Sequence, residues 1–127
     1  MITEDYVSFE TAKLLNTKGF KGEFHKHYWG YEPGKEFLTD GSFNPEYDYP
    51  APTLQMAMKW LREVHNIYIQ IMLDSWALGD RSGYYIVIQK TDSDFEEVSP
   101  VDIDEVFFQT YEEACEIAIK YCLEKLI

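Results

Sequence analysis

His25, Lys26 and His27 are the first place to look for metal chemistry, because alternate residues of a strand project to the same side. Two imidazoles on one face, joined by His65 or a carboxylate, would supply zinc-type nitrogen ligands. No fixed spacing marks a third ligand and no Cys-x-x-Cys pair strengthens the set, so His25 and His27 stand only as candidates. Neither a bound metal nor any other cofactor is expected. The simpler reading is two histidines on a sheet face beside Trp29. Nucleophilic catalysis needs a base next to a nucleophile. Cys115 and Cys122 fall on what reads as one buried helical face, where thiols are inert. They lie seven residues apart, about 10 Å along a helix axis, too far to bridge while the helix is intact. Ser82 sits in a turn and fits no nucleophile elbow. Gly79, Gly83 and Asp40-Gly41 precede no helix with Lys and Ser or Thr, so no phosphate loop is present. Paired carboxylates discriminate nothing among 23 acidic residues. The chain is read as non-enzymatic, with no catalytic residue.

Two surfaces suit recognition better. The formal net charge is −12, and it is unevenly spread: between Thr91 and Ile119 there are ten acidic residues and no Lys or Arg. Asp92, Asp94, Glu96, Glu97, Asp102, Asp104 and Glu105 form the loop part of that segment, and Glu112, Glu113 and Glu116 the helical part. Binding nucleic acid through a basic surface is disfavoured, since phosphate contacts need clustered Lys and Arg. A row of carboxylates could instead imitate phosphates and occupy the basic cleft of a host DNA-binding protein. The plainer reading is a solvated loop, with Glu112 and Glu113 complementing a helix dipole. The second surface is aromatic: Tyr28, Trp29, Tyr31, Phe37, Phe43, Tyr47, Tyr49 and Trp60. Tyr and Trp are favoured at protein contacts. An exposed cluster would make a docking module, and a buried one would only pack a loop.

The elements that position these residues are legible in outline. Ser8 caps a first helix that stops at Gly19, with Phe9, Ala12 and Leu14 or Leu15 on one face. Residues 22–31 alternate as a strand. Residues 32–52, rich in Pro, Gly, Asn and Asp, predict a long loop with at most a short strand near Glu36-Phe37-Leu38, and such loops are often functional. Thr53 caps a second helix whose apolar face is Leu54, Ala57, Met58, Leu61, Val64 and His65. Ile67 to Trp76 and Tyr84 to Lys90 form an antiparallel pair, and Glu105 to Gln109 suggests another short strand. Thr110-Tyr111-Glu112-Glu113 is a capping box opening a last helix to about Leu126. The expected fold is a single α+β domain over 1–127. It would have an antiparallel sheet of three to four strands and about three helices packed mainly on one face.

Three segments, Val7 to Leu15, Pro50 to His65 and Thr110 to Ala114, resemble a family of small uncharacterised proteins of gut Bacteroides genomes, often in phage or prophage regions. The likeness covers about a third of the chain, chiefly its helices and helix starts. It implies a mobile-element origin and carries over no activity, ligand or catalytic residue.

Composition bounds the rest. With 127 residues, 46% hydrophobic and 17% aromatic, the chain can bury a core of its own. No apolar run approaches the ~20 residues of a membrane span. The acidic start Met1-Ile2-Thr3-Glu4-Asp5 predicts no secretory leader, and a cytoplasmic address is expected. The expected function is a protein-interaction module of phage or prophage origin, contacting a protein partner through Trp29, Tyr31, Phe43, Tyr47, Tyr49 and the acidic loop. The alternatives are the acidic nucleic-acid mimic and a small-ligand or metal-binding domain. A homo-oligomer is left open.

Overall fold

Helix starts follow from their caps. In a computed structural model of the protein, which describes residues 3–74, 83–91, 96–97 and 107–127, three α-helices begin behind hydroxyl caps. The Ser8 side chain accepts the Thr11 N–H ahead of α1 (Phe9–Thr17), Thr53 accepts the Met56 N–H ahead of α2 (Leu54–His65), and Thr110 accepts the Glu113 N–H ahead of α3 (Tyr111–Tyr121). Each cap satisfies a backbone donor that the first helical turn leaves without a partner. After α1 the chain turns at Gly19 with φ +87°, a backbone conformation that glycine adopts without steric cost. Asn66, in the left-handed conformation, ends α2. The last helix continues past Tyr121 as a π-helical turn, Cys122–Leu126.

The fold is α+β with antiparallel sheets. Among the described residues its strands divide into two small sheets, where the sequence pattern suggested one. The first takes the order β2-β1-β3, from β1 (Lys26–Trp29), β2 (Phe37–Thr39) and β3 (Tyr49–Ala51). Both outer strands run antiparallel to β1, with Tyr28 opposite Leu38 on one side and Tyr49 on the other. The loop expected at 32–52 carries the short strand suggested near Glu36-Phe37-Leu38, as β2, and a second strand, β3, that the pattern did not suggest. Pro50 fits because β3 is an edge strand, where a missing N–H breaks no ladder. The second sheet pairs β4 (Ile67–Asp74) with β5 (Gly83–Lys90) over their full length, and β6 (Glu96–Glu97) adds to β5. Residues 75–82 lie outside the described residues, among them Ser82 and Trp76, the expected end of the first strand of this pair. Of the strand expected at 105–109, Glu105 and Val106 also lie outside them. Phe108 makes a single antiparallel bridge to Tyr84.

Helices α2 and α3 pack on the β4–β5 pair, while α1 lies between α3 and β3. The inward isoleucines Ile67, Ile69, Ile86 and Ile88 meet Ala57, Met58 and Leu61 of α2 and Ala114, Ala118 and Ile119 of α3 in one core. Alternation along the strands produces that apolar face, and helical spacing produces its cover. Val64, expected on the buried face of α2, is exposed. It lies at the margin of the apolar stripe in the last turn, where neighbouring structure no longer covers it.

A carboxylate also holds the first and last helices together. Glu116 Oε1 accepts from the Thr11 hydroxyl at 2.6 Å, from the Ser8 backbone N–H at 3.2 Å and from the Ser8 hydroxyl. An acidic group at the start of α1 also complements its dipole. Beyond it, Lys120 Nζ meets Glu10 Oε2 at 2.8 Å across the same helix pair.

Candidate functional site

The two faces of the β2-β1-β3 sheet have opposite roles. Tyr28, Leu38 and Tyr49 share a register position on one face and pack against the core. The Tyr28 and Tyr49 rings stand edge-on to Phe9 at 5.6 and 5.7 Å, and the Tyr28 hydroxyl donates to the Val7 carbonyl at 2.7 Å. Burial, followed by the nearby Glu116 charge, pushes the Tyr28 hydroxyl pKa up. Tyr49, counted among the candidate contact residues, thus belongs to the interior side.

The other face carries His27, Trp29, Phe37 and Thr39 by strand alternation. Trp29 and Phe37 are cross-strand partners with ring centroids 5.3 Å apart. Tyr31 continues the row at 6.0 Å from Trp29, and Tyr47 stands 5.0 Å from Tyr31. Tyr31 is 64% exposed and Phe37 52%, so this row of rings is a surface feature. The interplanar angles, 47° for Trp29–Tyr31 and 65° for Tyr31–Tyr47, make it ridged and not flat. Phe43 sits beside the row, its ring 5.2 Å from His27 and 5.1 Å from Phe24. Phe37, part of the aromatic set read from the sequence but not of the shorter contact list, joins the row through its pairing with Trp29.

Beneath the rings lies a buried polar anchor. Asp48 is 3% exposed, and its carboxylate accepts the Gly30 N–H at 3.2 Å and the Asn44 N–H at 2.9 Å. The Asn44 carbonyl in turn accepts the N–H groups of Tyr47 and Asp48. His27, 2% exposed, brings Nε2 to 3.5 Å from Asp48 Oδ2, within ion-pair range, yet Nε2 has no hydrogen-bond partner among the described residues. Loop 40–48 is therefore pinned to β1 by one carboxylate, and the position of Tyr47 follows from it.

This arrangement separates the two histidines offered as metal ligands. The strand begins at Lys26, so the alternation that would pair His25 with His27 does not reach His25, which is exposed while His27 is buried. Among the described residues, no group of three His, Cys, Asp or Glu side chains is placed to hold a metal. His65 is engaged elsewhere, edge-on to Trp60 at 4.7 Å. Burial, reinforced by the Lys90 charge, lowers its pKa from the usual 6.5. The folded state thus binds this proton less readily than the unfolded chain does. Stability from His65 is present above about pH 6.5 and is lost as pH falls through that value toward the lowered folded pKa. His65→Phe is expected to flatten this part of the stability-versus-pH curve, measured by urea unfolding between about pH 5 and pH 7.5.

The cysteines are interior groups. Desolvation pushes Cys115 up to about 11 and Cys122 up to about 12, so the nucleophilic thiolate is scarce near neutral pH. Both are buried and free. Each is expected to react with an aromatic disulfide reagent at least ~100-fold more slowly in the native chain than in denaturant, timed by absorbance. A fast native phase would contradict the burial.

Of the acidic candidates, Asp92, Asp94, Asp102, Asp104 and Glu105 lie outside the described residues. Glu96 and Glu97 form β6, opposite Lys90 and Gln89. Glu112 and Glu113 line a recess of about 450 Å³ with Glu4, Asp5 and Glu116. Glu116 itself is taken up in capping α1.

The site is thus an exposed aromatic face on a small antiparallel sheet of an α+β fold. No helix among the described residues is long and apolar enough to cross a membrane. Comparison with protein-family models, curated proteins and solved structures returns no match to this chain.

Proposed function

We propose that this protein is a non-catalytic interaction module that docks another protein through Trp29, Tyr31, Phe37 and Tyr47. The observation that supports this reading is the exposure of Tyr31 and Phe37 within one continuous row of rings. Large rings bury well when a fold has use for them, and an apolar patch kept at the surface marks a contact site. Tyr and Trp at the centre of such a patch supply large contact area at low entropic cost. The proposed phage or prophage setting rests on the resemblance of the helices and helix starts alone.

The test compares the tagged protein with a Tyr31→Ser/Phe37→Ser variant in capture from host lysate, washed at low and at high salt. A protein held by the parent chain through the high-salt wash and lost by the variant supports the reading, because apolar contacts outlast charge screening. Equal capture by both chains overturns it. Circular dichroism of the variant establishes that its fold is intact.

A further inference from the structure

We propose that the open edge of β4 pairs with the same edge of a second copy of this chain, two antiparallel strands meeting about a twofold axis at Gln70. The order β4-β5-β6 places β4 at the side of its sheet, and among the described residues no strand pairs with its outer edge. The hydrogen bonds fix which residues face that edge. The Asn66 carbonyl accepts the Thr91 N–H, so Asn66 turns its main chain toward β5. At the other end Tyr84, opposite Leu73, exchanges both its main-chain bonds with Phe108 on the far side of β5. Bonded and unbonded positions alternate along an antiparallel pair. Ile67, Ile69, Ile71 and Leu73 therefore direct their N–H and C=O groups away from β5, along the open edge.

Such an edge is a template for another strand unless something blunts it. In the other sheet the two outer strands are blunted: β2 and β3 have three residues each, and β3 contains Pro50. β4 has eight residues, with no Pro, Lys or Arg, and its register with β5 runs unbroken from Ile67 to Asp74. Three of its apolar side chains stay exposed, Tyr68 at 43%, Met72 at 42% and Leu73 at 60%. The occupant that matches this edge is the strand itself. Pairing must keep core side on core side, so residues an even number of positions apart meet. With the axis at Gln70, Ile67 meets Leu73, Ile69 meets Ile71 and Tyr68 meets Met72. All the outward-turned residues then bond within the paired strands. An axis at Ile69 leaves Leu73 outside the pairing, and an axis at Ile71 leaves Ile67 outside. Leu73, exposed although it lies on the core side, gains Ile67 of the second copy as a neighbour. Asp74, the one charged residue of the strand, falls opposite Asn66 and not opposite a second carboxylate, which matters in a chain of net charge −12. The contact consumes the same edge on both copies, so it closes as a dimer.

Sedimentation velocity of the full chain, from about 5 to about 200 μM, is expected to show a reversible monomer–dimer equilibrium. Tyr68→Lys/Met72→Lys sets like charges opposite each other in this register and should weaken the dimer at least ~10-fold. Tyr68→Lys/Met72→Glu turns the same cross-strand pairs into opposite charges and should recover at least ~5-fold of that loss. Both positions are exposed, and circular dichroism checks that each variant keeps its fold. A parent chain that stays monomeric over the whole range overturns the proposal, as does a Lys/Lys variant that dimerises like the parent. Equal weakening in the Lys/Lys and Lys/Glu variants also overturns it, because only the Gln70 axis brings positions 68 and 72 together. Loss of the dimer in Tyr31→Ser/Phe37→Ser with the Lys/Lys variant unaffected would move the contact to the ring row and overturn the strand pairing.

Discussion

Asp48→Ala is expected to destabilise the chain by about 2–4 kcal/mol, because two backbone donors lose the one carboxylate that accepts them. The substitution leaves the Gly30 and Asn44 N–H groups without their acceptor and removes the carboxylate that stands 3.5 Å from His27 Nε2. An unpaired buried donor alone costs about 1–3 kcal/mol. Asp48→Asn keeps a carbonyl acceptor for one of the two N–H groups, and about half the loss is expected. Denaturant unfolding measures both variants. Near-ultraviolet circular dichroism adds a local readout, because release of loop 40–48 should dissolve the asymmetric packing of Trp29, Tyr31 and Tyr47 before the helices melt. A fully stable Asp48→Ala chain would mean that water replaces the carboxylate at no cost, and that the loop is not pinned as described.

Gly30→Ala is the second large effect, expected at about 3 kcal/mol, the upper part of the range for overpacking. A Cβ at Gly30 would stand 2.1 Å from the Tyr47 carbonyl oxygen and 3.3 Å from the Tyr49 ring. The first obstacle is backbone, and it cannot swing aside as a side chain would. The same residue donates its N–H to Asp48, so moving its backbone also loosens the anchor. Gly41→Ala is the matched control: a Cβ there meets only the Thr39 hydroxyl, at 3.4 Å, and the change should stay within about 0.5 kcal/mol. Thermal unfolding of the pair checks the prediction, and equal midpoints would sink it.

The helices and the β4–β5 pair were readable because their signals are local. Ser8, Thr53 and Thr110 announce helix starts by hydroxyl chemistry, and Ile67, Ile69, Ile86 and Ile88 repeat with the period of a strand. The small sheet was only partly readable: alternation over 22–31 points to β1 and the pattern near Glu36-Phe37-Leu38 to β2, but nothing marks β3. Strands of three residues, Phe37–Thr39 and Tyr49–Ala51, are too short to display a period, and the surrounding Pro, Gly and Asn truthfully signalled turns. Pairing with β1 makes them strands, and pairing is a tertiary fact. Composition marked Trp29, Tyr31 and Tyr47 as contact residues, and the structure brings these three together with Phe37. It did not distinguish Tyr49, which faces inward, because a tyrosine reads the same on either face. Nothing in the sequence sets Asp48 apart among 23 acidic residues; its role depends on the backbone donors folded around it. His27 was picked out for its imidazole, yet burial gives it a structural setting.

The carboxylate that caps the first helix has a consequence for how the chain is made. Glu116 reaches back to Ser8 across 108 positions, and Lys120 to Glu10 across 110. Contacts this distant in sequence carry the loop-closure cost that slows folding. During synthesis, α1 emerges early but cannot gain its Glu116 ligand until α3 has left the ribosome as well. Over that interval its apolar face, with Ala12 and Leu15, stays without the α3 surface that covers it. Until α3 follows, this face is the part of α1 most open to association with other chains.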